Sequence, residues 1–195
     1  MLTNLAEADA GIRQLHARYV DAVFRKDVKA FGDCFTQTCE WRISGVVFRG
    51  RAEIEDAIER ILSKAAHVYM SFGTPILELG EVEGESGGGA TGRTYVNERC
   101  VWHDGKTNIS IGRYYEHFVQ QADRWRFAWR VFQLHYSGPP DLTGTWHEHE
   151  DYGPPPGMPP MDALPGGHAS AKWGINPPRN GEGNHPQDGG GAPSA

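Results

Sequence analysis

Apolar side chains at Leu5, Ala8, Ile12, Leu15, Tyr19 and Val23 recur at spacings of three and four, the signature of one helix face. The pattern predicts a helix to about Lys26, with Thr3 or Asn4 as its cap. A second, short helix is expected after Asp27, presenting Ala30, Phe31 and Phe35. "CEWRISGVVFRG", residues 39–50, alternates around Gly45 and reads as a hairpin. From Arg51 a third helix turns Ile54, Ile58, Ile61, Leu62 and Ala65 inward and its charges outward. Four long extended segments then follow, covering residues 67–84, 90–105, 107–121 and 125–138, with turn chemistry at "GESGGG", "HDGK" and "QADR". Long twisted strands need one face covered, so the order predicts an α+β domain with an antiparallel sheet curled over a helix layer.

Composition sets the limits of that domain. Beyond Gly138 lie twelve of the thirteen prolines, so the folded domain is expected to span residues 1–138. Residues 139–165 still carry Leu142, Trp146, Tyr152, Met158, Met161 and Leu164, spaced anchors on a chain that favours polyproline conformations. They are expected to form a strap across the domain or a neighbouring subunit. Residues 166–195 have too little apolar surface to offset their ordering entropy and are read as disordered.

Charge and cysteine usage exclude several classes of function. The net charge is -6 and the basic residues are scattered, which argues against nucleic acid as a partner. No stretch approaches eighteen apolar residues and the N-terminus lacks the features of a leader, so a membrane partner is not expected and the location is read as cytoplasmic. Cys34, Cys39 and Cys100 have no metal-site or disulfide-framework spacing and are read as buried thiols. "GESGGGATG" lacks the Lys-Ser/Thr ending of a phosphate loop. "WHEHED" holds His147, Glu148, His149, Glu150 and Asp151 but no helical histidine pair, and a solvated turn is expected there rather than a metal site.

The element order, together with Tyr19, Asp27, Phe35, Glu40-Trp41, Phe48-Arg49-Gly50, Gly112-Arg113-Tyr114 and Trp125-Arg126, resembles the nuclear-transport-factor-2-like superfamily and within it the SnoaL-like group. The resemblance covers residues 5–137. It implies a cone-shaped fold around a deep apolar pocket, a small-molecule substrate, no cofactor, and a homo-oligomer, a dimer or trimer. Members include dehydratases, a dehydrochlorinase, formaldehyde-releasing lyases, isomerases, cyclases and many non-catalytic binders, so fold alone selects no reaction. In the dehydratase and dehydrochlorinase branch an aspartate on the first helix pairs with a histidine on the strand after the third. Matching the patterns puts Phe24 and Ser71 at those positions, so that dyad is absent here; Asp21 and His67 are close in sequence but displaced from it.

The base must then come from elsewhere. Alternation places Ile109, Ile111, Arg113, Tyr115 and His117 on one strand face and Ser110, Gly112, Tyr114, Glu116 and Phe118 on the other. The resemblance favours the first set facing the pocket, together with Thr94, Val96, Glu98 and Cys100 and with Arg130, Phe132 and Leu134. A wall of Glu98, Arg113, Tyr115, His117 and Arg130 is thus expected opposite Tyr19, Trp41 and Ser71, with Phe24 and Phe48 as further lining. Arg113 or Arg130 could stabilise a phenolate or enolate, His117 or Glu98 could move a proton, and Tyr115 could donate to a departing oxygen. That equipment suits a cofactor-independent lyase acting on a small hydroxylated aromatic, by dehydration or by formaldehyde-releasing carbon-carbon cleavage. The alternatives are an isomerase or cyclase, a non-catalytic ligand binder, and an assembly module clasped by the proline strap. If the strand register differs by one residue, Arg113, Tyr115 and His117 are surface or interface groups instead.

Overall fold

A computed structural model describes residues 4–80, 89–122 and 124–147. Helix α1 (Leu5–Arg25) opens on a capping box: the Glu7 amide donates to Asn4 Oδ1 at 3.0 Å while the Asn4 amide donates to Glu7 Oε2. Its buried stripe is Ala8, Ile12, Leu15, His16, Tyr19, Ala22 and Val23. Leu5, expected in that stripe, is half exposed, and His16 takes a place in it. Asp27 caps α2 (Val28–Gly32) by accepting the Ala30 amide at 2.9 Å.

Strands β1 (Phe35–Ile43) and β2 (Val46–Arg49) form the hairpin. Its two-residue turn needs positive φ at both centres, which Ser44 and Gly45 adopt at 51° and 74°. Helix α3 (Gly50–Leu62) buries Ile54, Ala57, Ile58 and Leu62. The extended segment expected over residues 67–84 is divided instead, into β3 (Ala65–Phe72) and β4 (Ile76–Gly80). Gly73 and Pro75 break it, and the two pieces pair with successive halves of β5 (Gly89–Trp102). β6 (Thr107–Gln121) and β7 (Arg124–Gly138) complete the meander.

The strand order is β2-β1-β7-β6-β5-β3, with β4 also on β5 and a short β8 (Thr145–Trp146) on β7. β1 runs parallel to β7, so the sheet is mixed rather than wholly antiparallel. The hairpin and the last strand reach the same neighbourhood from opposite ends of the chain, and the intervening α3 and meander act as the crossover a parallel pair requires. Register shifts in β7 opposite Ile111/Gly112 and His117/Phe118 accommodate extra residues, the usual means of curling a long sheet.

The three helices pack on the concave face, and the main core lies between, from Ile12 and Tyr19 through Phe31, Phe35 and Phe127 to Ile54. Cys34, Cys39 and Cys100 are free and buried. Burial pushes their thiols up to about 11, 11 and 12, so they serve as core atoms rather than nucleophiles. Residues 139–147 fold back on β7: the Tyr136 hydroxyl donates to the Pro139 carbonyl at 2.6 Å and accepts the Gly144 amide at 3.0 Å, and Trp146 packs against its ring. The rest of the expected strap, the tail expected to be disordered, and Glu148, His149, Glu150 and Asp151 lie outside the described residues. No helix among the described residues is long and apolar enough to cross a membrane.

Candidate active site

The register between β5 and β6 decides what faces the cone. Glu98 pairs with Ser110, Val96 with Gly112 and Thr94 with Tyr114, and Tyr114 and Glu116 in turn stand opposite Phe132 and Arg130 on β7. Directly paired residues share a sheet face. Ser110, Tyr114, Glu116 and Phe118 therefore point inward with Glu98, the reverse of the expected assignment for β6. Arg113, Tyr115 and His117 lie on the opposite face. Arg113 Nε donates to Gln133 Oε1 at 2.6 Å and the guanidinium sits 5.2 Å from the Tyr115 ring. Tyr115 and Val131 form a second small apolar cluster there with Val47 and Trp129. His117 is half-buried beside Trp129, its ladder partner, and desolvation lowers its pKa. Ile111 shares that outer face. The physical reason for the reversal is that alternation gives two faces but not which one the helices cover.

Inside the cone is a cavity of about 90 Å³. Tyr19, Trp41, Val96, Glu98 and Phe132, all expected there, line it, and Ser110 and Tyr114 join them. Half-buried Ile43, Ser44, Ile61 and Trp102 line it as well. Phe132 reaches the cavity because Gly112 has no side chain: a Cβ on Gly112 would lie 2.4 Å from the Phe132 ring. Phe48 is buried behind Trp41, with ring centroids 5.8 Å apart.

Glu98 is the unusual member of this wall. It is half-buried, makes no ion pair or hydrogen bond with the described residues, and its surroundings are Val68, Met70, Val96 and aromatic rings. Desolvation pushes its carboxyl up to about 7, poised to exchange a proton near neutrality. Burial is also the main cause that raises the Tyr19 and Tyr114 phenols, with the Glu98 charge adding to both. Both therefore stay protonated and able to donate. Ser110 Oγ, across the ladder from Glu98, accepts from Asn108 Nδ2 at 3.0 Å.

Behind the wall lies a buried ionic network. Arg130 is fully buried, and its Nη2 donates to Glu116 Oε1 at 2.7 Å. Glu116 also accepts from Thr94 Oγ1 at 2.7 Å and stands 3.2 and 3.3 Å from His16 Nε2. Burial opposes ionisation of Glu116, but His16, Arg130 and these hydrogen bonds outweigh it and hold the carboxyl below its ordinary value. Arg130 Nε and Nη1 have no hydrogen-bond partner among the described residues. Aromatic faces surround the guanidinium instead, with Tyr114, Phe127, Tyr19 and Phe72 at 3.6, 4.1, 4.6 and 5.7 Å. Arg130, expected in the cavity wall, thus supports Tyr19 and Tyr114 from beneath. Neither His16 nor Glu116 was singled out from sequence, although His16 sits at helical spacing from Ile12 and Tyr19, within the buried stripe.

Phe24 and Ser71 stand elsewhere. Both are exposed and line a separate groove of about 600 Å³ between α1 and β3. Among the described residues no three His, Cys, Asp or Glu side chains cluster closely enough to hold a metal ion.

The SnoaL-like domain profile matches residues 4–131. No curated protein matches the chain. Several solved structures do. A single-residue variant of Rv3472, a Mycobacterium tuberculosis protein of unknown function, is 24% identical over 64% of this chain and 70% of its own, with a TM-score of 0.55. A protein with the provisional name scytalone dehydratase from Novosphingobium aromaticivorans is 16% identical over 69% and 88%, at a TM-score of 0.62. A type 2 hexachlorocyclohexane dehydrochlorinase, LinA, is 17% identical over 78% and 97%, at 0.59. At such identities the likeness is one of fold.

Proposed function

Because the chain belongs to the SnoaL-like domain family, whose cone encloses the cavity described above, we propose that it is a lyase that eliminates water from a small hydroxylated aromatic substrate by proton transfer at Glu98. The observation that carries this reading is Glu98 itself, a carboxyl without a compensating cation in an apolar wall, with its pKa lifted to about 7. A structural carboxylate is ordinarily paired or solvated. One left alone in a cavity is a functional-site candidate on physical grounds.

In the proposed step the Glu98 carboxylate takes a proton from the carbon next to the one bearing the hydroxyl. The C–H electron pair becomes the new double bond, and the C–O bond breaks. The departing hydroxyl takes a proton from Tyr19 or Tyr114 and leaves as water. Transfer of the proton held by Glu98 to the resulting phenolate restores both groups. The Arg130 cation beneath the two rings favours the transient phenolate. On a hydroxymethyl substrate the same groups suffice: Glu98 removes the hydroxyl proton, the carbon-carbon bond breaks to give formaldehyde, and its electron pair stays on the adjacent carbon. Tyr19 or Tyr114 protonates that carbon before Glu98 returns its proton to the phenolate. The resemblance in fold to a dehydratase-named protein and to a dehydrochlorinase supports elimination ahead of isomerisation.

The small cavity favours a second reading, a non-catalytic binder. A cavity of about 90 Å³ holds several waters. A ring must displace them and shift compliant walls such as Met70. Turnover separates the two readings. A panel of single-ring compounds carrying β-hydroxyl or hydroxymethyl groups, assayed for new unsaturation and for formaldehyde, should give a substrate for the native protein and none for Glu98→Gln. Binding without turnover across the panel, or equal turnover by Glu98→Gln, would replace the lyase with a carrier or move its chemistry away from Glu98.

A further inference from the structure

We propose that the groove between α1 and β3 is a second small-molecule site, separate from the cone cavity, that takes a planar phenol and holds its hydroxyl on His16 Nδ1. The groove encloses about 600 Å³, within the range of drug-sized ligand sites. Its walls offer the exposed rings of Phe24 and Tyr69 together with Phe72. Such large apolar side chains, exposed along one groove, leave flat surface for a ring to cover.

Its floor carries the polar group. His16 is only 4% exposed and lines the groove, with its ring stacked on Phe72 at 4.7 Å and 19°. Nε2 is held by both oxygens of Glu116. That carboxylate also receives Arg130 and Thr94, and three donors on one carboxylate are the environment of an ionised acceptor. The proton of a neutral His16 is then on Nε2, which leaves Nδ1 as a lone-pair acceptor. Nδ1 makes no hydrogen bond with any described residue and is not among the fully buried polar atoms, so it is open to the groove. A ring nitrogen open to a groove of aromatic rings can accept a ligand hydroxyl in place of water. The chemistry required of the ligand follows: a flat ring for Phe24, Tyr69 and Phe72, and an O–H directed at the floor. Arg13 and Asp21 at the rim are engaged with Asp9 and Arg25, so neither charge demands an ionic ligand.

The site is independent of the elimination proposed for Glu98, and the test separates them. The probe is 2-naphthol, followed by its fluorescence, with 2-methoxynaphthalene as the control that lacks the donor. The native protein should bind 2-naphthol at least about tenfold more tightly than the ether, the worth of one neutral hydrogen bond. Ala17→Phe, an exposed change on the groove wall that leaves the core untouched, should weaken 2-naphthol at least about tenfold. Glu98→Gln should leave it unchanged. His16→Phe should bring the two probes to equal affinity if the variant folds. Equal affinity of the probes for the native protein would overturn the proposal, as would native-like binding to Ala17→Phe. Loss of binding in Glu98→Gln would assign the probe to the cone cavity, and binding that weakens as protein concentration rises would assign the groove to a second copy of the chain; either result also overturns it.

Discussion

Glu98 and Ser110 stand directly opposite one another on β5 and β6, and with them the whole even-numbered face of β6 turns into the cone. Glu98, the proposed acid-base group, thereby shares the cavity with Tyr114 rather than with Arg113 and His117.

The same pairing sets the effect of substitutions on β6. Tyr19→Phe combined with Tyr114→Phe should lower kcat on any eliminated substrate by about 10² or more, since the pair removes both donors and a carboxyl alone does not replace them. Arg113→Met and His117→Asn, on the other face, should leave kcat within about threefold of native. Steady-state kinetics on the purified variants checks both.

The buried pair of Arg130 and Glu116 is the most sensitive point of the fold. Arg130→Met leaves the Glu116 charge with His16 and Thr94 alone, and Glu116→Gln leaves the guanidinium without a counter-charge. Each should cost about 3 to 5 kcal/mol in chemical denaturation. The double change to apolar residues of similar volume should cost less than either single one.

The two carboxyls give stability opposite dependences on pH. Glu116 is depressed in the fold, so its contribution is present above its unfolded pKa of about 4.3 and is lost as pH falls through the lower folded value. Glu98 is raised, so its contribution is full below about 4.3 and is lost as pH climbs toward 7. Glu98→Gln should therefore be more stable than the native protein above pH 7, on the order of 2 kcal/mol, and near parity at pH 4. Denaturant midpoints measured at both pH values give the comparison.

Gly112 makes room for the ring of Phe132. Gly112→Ala should destabilise by about 1 to 3 kcal/mol or more through overpacking, and Phe132→Leu in the same chain should recover only part of the loss, because the added Cβ also lies 2.6 Å from the Gln133 carbonyl oxygen. Thermal unfolding of the single and double variants resolves this.

How far the fold and the site can be read from sequence depends on what each residue's neighbours decide. The helix faces and the hairpin are local, so the spacing of Ile12, Leu15 and Tyr19 or the turn at Ser44-Gly45 reveals them directly. The inward direction of Val96, Glu98 and Phe132 follows from the resemblance to the family, since alternation alone does not choose a face. The face of β6 was not: its alternation is equally good in both directions, since Tyr115 and Val131 are as buried on one side as Tyr114 and Phe118 are on the other. Register with β5 and the irregularities in β7 settle it, and both are tertiary. The parallel pairing of β1 with β7 is hidden for a similar reason, because it joins segments from opposite ends of the domain. His16 escaped notice because its value comes from Glu116, a hundred residues further along the chain.

The central claim is that Glu98 stands in the cone as an acid-base group poised near neutrality. Its direct test is the titration of its side-chain carboxyl by carbon-13 NMR, with the resonance assigned by difference from Glu98→Gln. A midpoint close to 7 is the expected result. A midpoint near 4.3, the value of an ordinary solvated glutamate, would contradict the account.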